Sequence, residues 1–235
     1  MINKIVTKLK KLNPISIFIY GSQATQTINS KSDFEIGILF DNENYVTRNE
    51  IAKLINNNKF SVFPFKIDDL KNYTLDTPFQ KKIYINSLIN GNSKTIYGEK
   101  IIENLTPPQI SNIDLLMDCS FNLGYATSAI RANKSGNINL ANDLFYKSLF
   151  YATRNLIYLK TKKLISGYNN IYNYSKTLEL PNKYLELLKL AYKLRNEEIT
   201  EINSAFYFRN VSFINQFVIP SIEKEIKKNS FENIL

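Results

Sequence analysis

The chain has 235 residues, enough for one large domain or two small ones, and 44% of them are hydrophobic, which supports a buried core. It carries a net charge of +9, no histidine and one cysteine. A Ser-His-Asp triad, a Cys-His pair, a histidine-containing zinc site and an internal disulfide are therefore excluded. Carboxylates, lysines, tyrosines and hydroxyls are left, and these groups suffice for reactions assisted by a hard metal ion.

The positive charge and the lack of long apolar runs bear on partners and location. A basic surface attracts nucleic acid or nucleotide phosphates. The abundance of Lys, Asn and Ile is equally explained by a compositional bias, and the lysines are scattered. No run of about 18 apolar residues occurs, and the charged stretch 1–12 does not resemble a secretory signal. We therefore expect a cytoplasmic protein without a membrane partner.

The first hundred residues alternate between strand-like and helix-like patterns. Short apolar runs rich in β-branched residues predict strands, and apolar residues three or four apart predict helices. In chain order the predicted elements are a helix over 2–12, strands over 15–20 and 34–40, a helix over 47–56 begun by a Thr47/Glu50 capping box, a strand over 59–67, a helix opening at Thr77-Pro78, and a short strand over 94–97.

After Thr106-Pro107-Pro108 the strand pattern ends and helical periodicity continues to the C-terminus. A first long helix is predicted up to Asn133, and a second is predicted to end at Gly167. Three further helices follow, and together they predict an antiparallel bundle. The predicted fold class is therefore α+β, with a small mixed-sheet α/β domain over 1–104 followed by an all-α bundle over 105–235.

Two short motifs in the first domain point to chemistry. The first predicted strand ends at Gly21-Ser22, and the next begins with Asp33 and Glu35. Residues two apart in a strand point to the same face, so the two carboxylates should lie side by side and share a Mg²⁺ ion. Backbone N–H groups and the hydroxyl of the glycine turn can receive phosphate oxygens. The alternative is an ordinary turn followed by a polar strand start.

These motifs together resemble a known family. The sequence Gly21-Ser22-x-Ala24 followed by Ser32-Asp33-x-Glu35 is similar to the signature of the DNA polymerase β-like nucleotidyltransferase superfamily, and Ile96-Tyr97-Gly98 is similar to the end of its minimal domain. The resemblance covers about residues 1–100.

The resemblance implies a role for each motif residue. Asp33 and Glu35 would be the catalytic and metal-binding carboxylates, Gly21, Ser22 and Ser32 would contact the nucleotide or fix its loop, Mg²⁺ would be the cofactor, and ATP the expected nucleotide.

The chain departs from this family at a third carboxylate. Active members carry it on the next core strand, where it binds metal or acts as a base. The corresponding stretch 60–67 contains no acid, and Phe63 is expected at that position. Three explanations stay open: Asp68 or Asp69 bends back, the bundle supplies Asp118 or Asp143, or the group is lost.

The bundle resembles the helical domain of the HEPN group and of kanamycin nucleotidyltransferase-like enzymes, through the segments 149–156 and 194–196. The ribonuclease branch of the HEPN group uses an Arg followed by a His, and this chain has no His. Arg131, Arg154 and Arg195 are candidates to contact a triphosphate or an acceptor; the alternative is that they form ion pairs between helices.

The sequence thus predicts a two-domain nucleotidyltransferase that moves a nucleoside monophosphate from Mg²⁺-bound nucleoside triphosphate to a hydroxyl. The acceptor is an RNA, a protein or a small molecule, and a homodimer is left open. The alternatives are a catalytically degenerate nucleotide-binding or antitoxin-like interaction module and a nucleic-acid-binding adaptor.

Overall fold

The chain forms two compact units. The structure, a computed structural model, describes residues 2–25, 34–57 and 59–232. Contacts between residues divide the chain into Met1–Gln109 and Ile110–Leu235. The predicted domain limits, 1–104 and 105–235, stay a prediction. In the part of the chain that is described, no helix combines the length and the apolar character that crossing a bilayer requires.

The first unit is built on a mixed sheet of four strands within the described residues. The strand order is β3-β2-β1-β4; β2 and β3 are parallel, and β1 is antiparallel to both of its neighbours. Its elements are α1 (Ile2–Leu9) with a 3₁₀ turn (Lys10–Leu12), β1 (Ser16–Tyr20), β2 (Phe34–Phe40), α2 (Arg48–Ile55), β3 (Phe60–Lys66), α3 (Ile67–Lys71), α4 (Lys81–Ser87) with a π turn (Leu88–Asn92), β4 (Ser93–Gly98) and α5 (Ile101–Asn104).

Both faces of the sheet are covered by a hydrophobic core. Successive side chains of β2 point alternately into one core and the other. Ile36, Ile38 and Phe40 face a core shared with α1 and α2. Leu39 faces the opposite core, which includes Phe18 of β1. Glu35 therefore points to the same side as Leu39, since strand residues two or four apart share a face.

In the second unit, the regular structure over the described residues 110–232 consists of helices. Its elements are α6 (Asn112–Lys134), α7 (Ile138–Thr161), α8 (Tyr168–Ser175), α9 (Asn182–Arg195), α10 (Ala205–Phe213) with a π turn (Ile214–Val218), and α11 (Ile219–Glu232). The core between α6 and α7 contains a polar network as well as apolar side chains. Asp118 is 3% exposed and receives hydrogen bonds from Arg154, Asn155 and Asn122.

Several predicted boundaries can be compared with the structure. The Thr47/Glu50 capping box is confirmed, because both reciprocal hydrogen bonds form. The helix start at Thr77-Pro78 is wrong: α4 begins at Lys81, where the Gln80 side chain accepts a hydrogen bond from the Ile83 amide at 2.8 Å.

The end of the second long helix was also placed too late. α7 ends at Thr161, because Lys162 adopts a left-handed conformation with φ 56° and its N–H bonds the Tyr158 carbonyl. Gly167, with φ 81°, instead precedes α8.

Candidate nucleotide-binding site

The Glu35 carboxylate lies directly against the Gly21 turn. Gly21 has φ +64°, and a Cβ built there would come within 1.9 Å of Glu35 Oε2 and 3.0 Å of Glu35 Cδ. Only glycine leaves room for the carboxylate at this point, and only glycine adopts that backbone conformation without strain. The structure thus brings Gly21 of the first predicted motif next to Glu35 of the second. Ser32 and Asp33 lie outside the described residues.

Hydrogen bonds fix the turn over residues 21–25. The Gly21 amide donates to the Asn92 carbonyl at 3.0 Å, and both the amide and the hydroxyl of Thr25 donate to the Gly21 carbonyl at 3.1 Å. The Gly21 amide already donates to a protein acceptor. It is therefore not one of the N–H groups that the predicted phosphate-binding turn can offer to a ligand. Among the described residues no acceptor is found for the amides of Ser22, Gln23 and Ala24, so these are the donors that the turn can offer.

Two aromatic side chains and a cation lie on the sheet face that holds Glu35. Tyr20, one residue before the turn, is 4% exposed and is hydrogen-bonded through its hydroxyl to Tyr84. The rings of Tyr20 and Phe63 meet edge-on with centroids 6.3 Å apart, and Arg48 stacks over Phe63. Burial raises the pKa of Tyr20 well above its ordinary value, and Tyr84 and Glu35 raise it further. Tyr20 is therefore a protonated hydroxyl at neutral pH.

The structure identifies the residue opposite Glu35 on β3 as Ser61. Phe63, the residue expected at the position of the third carboxylate, pairs with Gly37. Paired residues of parallel strands lie side by side about 4.8 Å apart. The Ser61 side chain is thus the nearest one on β3 to Glu35, and it is not an acid.

The other candidates for a third carboxylate are engaged elsewhere. β3 continues from Ser61 to Lys66, a rise of about 16 Å, before α3 begins with Asp68 and Asp69 in its first turn. Asp68 accepts a hydrogen bond from Asn42, and Asp69 accepts one from Thr74 at 2.8 Å. The prediction that Asp68 or Asp69 turns back towards Glu35 and supplies the third carboxylate is therefore wrong.

The two aspartates of the bundle also have partners inside their own unit. Asp118 is buried in its network with Arg154. Asp143 is bonded to Lys147 at 2.6 Å and to the Tyr146 hydroxyl.

The sequence of the first unit can be compared with known families. Residues 3–95 match the profile of the family described as "Polymerase beta, Nucleotidyltransferase". The first unit contains a polymerase β-type nucleotidyltransferase domain. This confirms the resemblance carried by the glycine turn and the acidic strand. No curated protein is similar enough in sequence to count as a match.

One solved structure is similar in fold to this chain over both of its units. Spectinomycin adenyltransferase AAD(9) from Enterococcus faecialis, crystallised with ATP and spectinomycin, is similar over 92% of this chain and 98% of that chain, with 15% identity and a TM-score of 0.59. The predicted α+β fold class is thereby confirmed. A nucleotidyltransferase-like protein from Exiguobacterium sibiricum 255-15 aligns over 92% of this chain and 74% of its own, with 10% identity and a TM-score of 0.38, too low to indicate a shared fold.

One carboxylate, that of Glu35, lies beside the glycine turn in the part of the chain that the structure describes. Across the described residues, no group of three or more Asp, Glu, Cys or His side chains converges on one point. The Glu35 carboxylate occupies the space that a Cβ of residue 21 would fill, so the missing side chain of Gly21 leaves room for it. The Glu35 carboxylate is the kind of hard oxygen ligand that suits Mg²⁺.

Sequence reasoning missed three residues of this site. Tyr20 could have been found, because its place just before Gly21 and its alternation with Phe18 put it on the Glu35 face. Tyr84 and Arg48 gave no such signal. Arg48 begins a helix whose buried residues face the other side of the sheet, so its side chain reaches this face only around the edge strand.

Replacing Gly21 by Ala should disable the nucleotidyltransferase domain. The new Cβ would displace the Glu35 carboxylate and strain the backbone by about 1–2 kcal/mol. We expect Mg²⁺-ATP affinity, measured by isothermal titration calorimetry, to fall at least about tenfold, with a lower melting temperature. The control is Gly124→Ala in α6, where a Cβ meets nothing within 4 Å. That variant should melt at least as high as wild type. Unchanged affinity in Gly21→Ala would contradict the assigned contact.

Proposed function

We propose that this protein transfers a nucleoside monophosphate from Mg²⁺-ATP to a hydroxyl group of a small-molecule acceptor, releasing pyrophosphate. The observation that carries the proposal is the close approach of the Glu35 carboxylate to Gly21 inside a polymerase β-type domain. It supports the proposal because nucleotidyl transfer needs a turn that would hold the phosphates beside a carboxylate that would hold Mg²⁺.

Each residue of the turn and strand has a part in this proposal. The amides after Gly21 and the Ser22 hydroxyl would hold the phosphates in place. Glu35 and Asp33 would hold Mg²⁺, which offsets the negative charge that develops on the phosphate oxygens. The Tyr20 hydroxyl would support the site through its bond to Tyr84.

The proposed acceptor class is supported by fold likeness over the whole chain. The adenyltransferase whose structure contains ATP and spectinomycin matches both the α/β unit and the helical unit. Among the acceptors considered, a small polyhydroxylated molecule therefore ranks before RNA and protein. The net charge of +9 keeps RNA as the next acceptor to test.

The test is a transfer assay with ATP labelled on the α-phosphate. Wild type and Asp33→Ala would be incubated with Mg²⁺ and a panel of aminoglycoside-like compounds, RNA oligonucleotides and hydroxyl-bearing peptides. Transfer of label to a small molecule by wild type, with loss in Asp33→Ala, is the expected result. Transfer of label only to RNA or peptide would contradict the small-molecule acceptor but would still support nucleotidyl transfer.

A second function is favoured by Ser61. Because the β3 residue beside Glu35 is not an acid, the domain can bind a nucleotide and still lack a group that transfer requires. The alternative is therefore a catalytically degenerate nucleotide-binding module. Mg²⁺-ATP binding without label transfer to any acceptor would favour this alternative.

Introducing an acid at Ser61 should raise the transfer rate. A Glu side chain there would stand beside Glu35 and supply the missing carboxylate. Since a positioned base contributes about 10²–10⁴-fold, we expect Ser61→Glu to be at least about tenfold faster than wild type. Ser61→Gln, of equal size and without charge, should give no gain. Equal rates for the two variants would show that the third acid does not limit this domain.

A further inference from the structure

A guanidinium group lies on the sheet face that holds Glu35. Arg48 is exposed, and its Cζ lies 4.1 Å from the centroid of the Phe63 ring. Phe63 is two residues beyond Ser61 on β3, so it shares the face of the Glu35–Ser61 pair. Arg48 thus presents a permanent positive charge beside the strand on which active relatives are expected to carry a third carboxylate.

Tyr20 connects this cation to the glycine turn. Its ring contacts Phe63, and the residue is followed directly by Gly21. Both Arg48 and Glu35 lie close enough to the Tyr20 hydroxyl to act on it electrostatically, with opposite sign. The cation and the carboxylate therefore flank one tyrosine within a single unit of the protein.

The chemistry of this arrangement suits a phosphate group. A guanidinium donates two parallel N–H bonds to phosphate oxygens and keeps its charge at any physiological pH. Stacking on Phe63 restricts the side chain before a ligand arrives, which lowers the entropy lost on binding. A carboxylate at the same place would repel the triphosphate unless a cation lay between them.

We propose that Arg48 is a phosphate-binding residue, and that it allows this domain to hold ATP without a divalent cation. The inference rests on the proposed function, because it places the phosphates over the same Gly21 turn. It goes further because it assigns to Arg48 part of the neutralisation of the negative charge on the ATP phosphates.

The test measures ATP binding by isothermal titration calorimetry in EDTA and again in Mg²⁺. The variants are Arg48→Gln, which removes the charge, and Arg48→Lys, which keeps it. The matched control is Arg209→Gln, because Arg209 is also exposed and stacks on a phenylalanine, Phe206, with Cζ 5.0 Å from the ring centroid. Circular dichroism melts would show that each variant folds.

We expect wild type and Arg209→Gln to bind ATP in EDTA with the same Kd. Arg48→Gln should bind at least about tenfold more weakly, and Arg48→Lys should recover part of the loss. Wild-type binding that requires Mg²⁺, or equal Kd values for Arg48→Gln and wild type in EDTA, would overturn the inference and leave the proposed function standing. Absence of ATP binding under both conditions would overturn both.

Discussion

Replacing Glu35 by Gln should abolish nucleotidyl transfer while leaving the domain folded. The carboxylate lies against Gly21, where the proposed Mg²⁺ and the phosphates meet. A metal ion contributes several kcal/mol to stabilising the transition state, and each ~1.4 kcal/mol corresponds to a factor of ten in rate. We therefore expect the labelled-ATP assay to show a decrease of about a thousandfold or more.

The effect on binding separates a metal ligand from a merely structural residue. Without Mg²⁺ the Glu35 charge repels the triphosphate, so Glu35→Gln should bind ATP in EDTA at least as tightly as wild type. In Mg²⁺ the variant should lose the gain in affinity that wild type shows. Glu223→Gln, an exposed glutamate of α11, is the matched control and should behave as wild type in both assays. Full activity in Glu35→Gln would reject its role in the reaction.

The sequence predicts Phe63 at the position where the family carries its third carboxylate, and the structure pairs Ser61 with Glu35 and Phe63 with Gly37. A shift of one residue along a strand moves a side chain to the opposite face, whereas a shift of two keeps the face. The apolar alternation of β3 therefore gave the correct side of the sheet for both Ser61 and Phe63. Only the pairing with β2 distinguishes them, and the hydrogen-bond ladder that sets it cannot be derived from either strand alone.

The strands and the turn were predictable because local sequence decides them. An apolar run that stops at a glycine specifies both the end of β1 and the start of the turn, and Gly21 occupies the positive-φ conformation that such a stop favours. Helix ends were less predictable. Lys162 ends α7 in a left-handed conformation, which a lysine rarely adopts, so the nearby Gly167 was the better guess from sequence and was wrong.

The position of the Arg48 side chain could not be predicted from the sequence for a different reason. Its stacking on Phe63 depends on the path of α2 around the sheet edge, a tertiary feature that periodicity does not encode. Arg154 illustrates the opposite case: ion pairing between helices was one of two readings of the sequence, and the structure places its guanidinium against Asp118 with Nη2 and Oδ2 3.3 Å apart.

Replacing Asp118 by Leu should destabilise the helical unit by about 3–5 kcal/mol, because it leaves the Arg154 charge buried without its partner. The Asp118 carboxylate also accepts hydrogen bonds from Asn155 at 2.7 Å and Asn122 at 3.0 Å, so two more buried donors would lose an acceptor. The free energy of unfolding would be measured by urea denaturation followed by circular dichroism.

Cys119 provides a local probe for the same variant. Burial raises the pKa of its thiol to about 12, so little thiolate forms at pH 8 and the folded unit should react slowly with a disulfide reagent. Asp118→Leu should speed this reaction in proportion to the larger open fraction.

The double variant Asp118→Leu/Arg154→Met replaces the ion pair by apolar groups and should recover most of the stability. If the single variant kept Cys119 protected and its unfolding free energy within about 1 kcal/mol of wild type, the ion pair would not stabilise the bundle. If the double variant were as unstable as the single one, the loss would lie in the packing of α6 against α7 and not in the uncompensated charge.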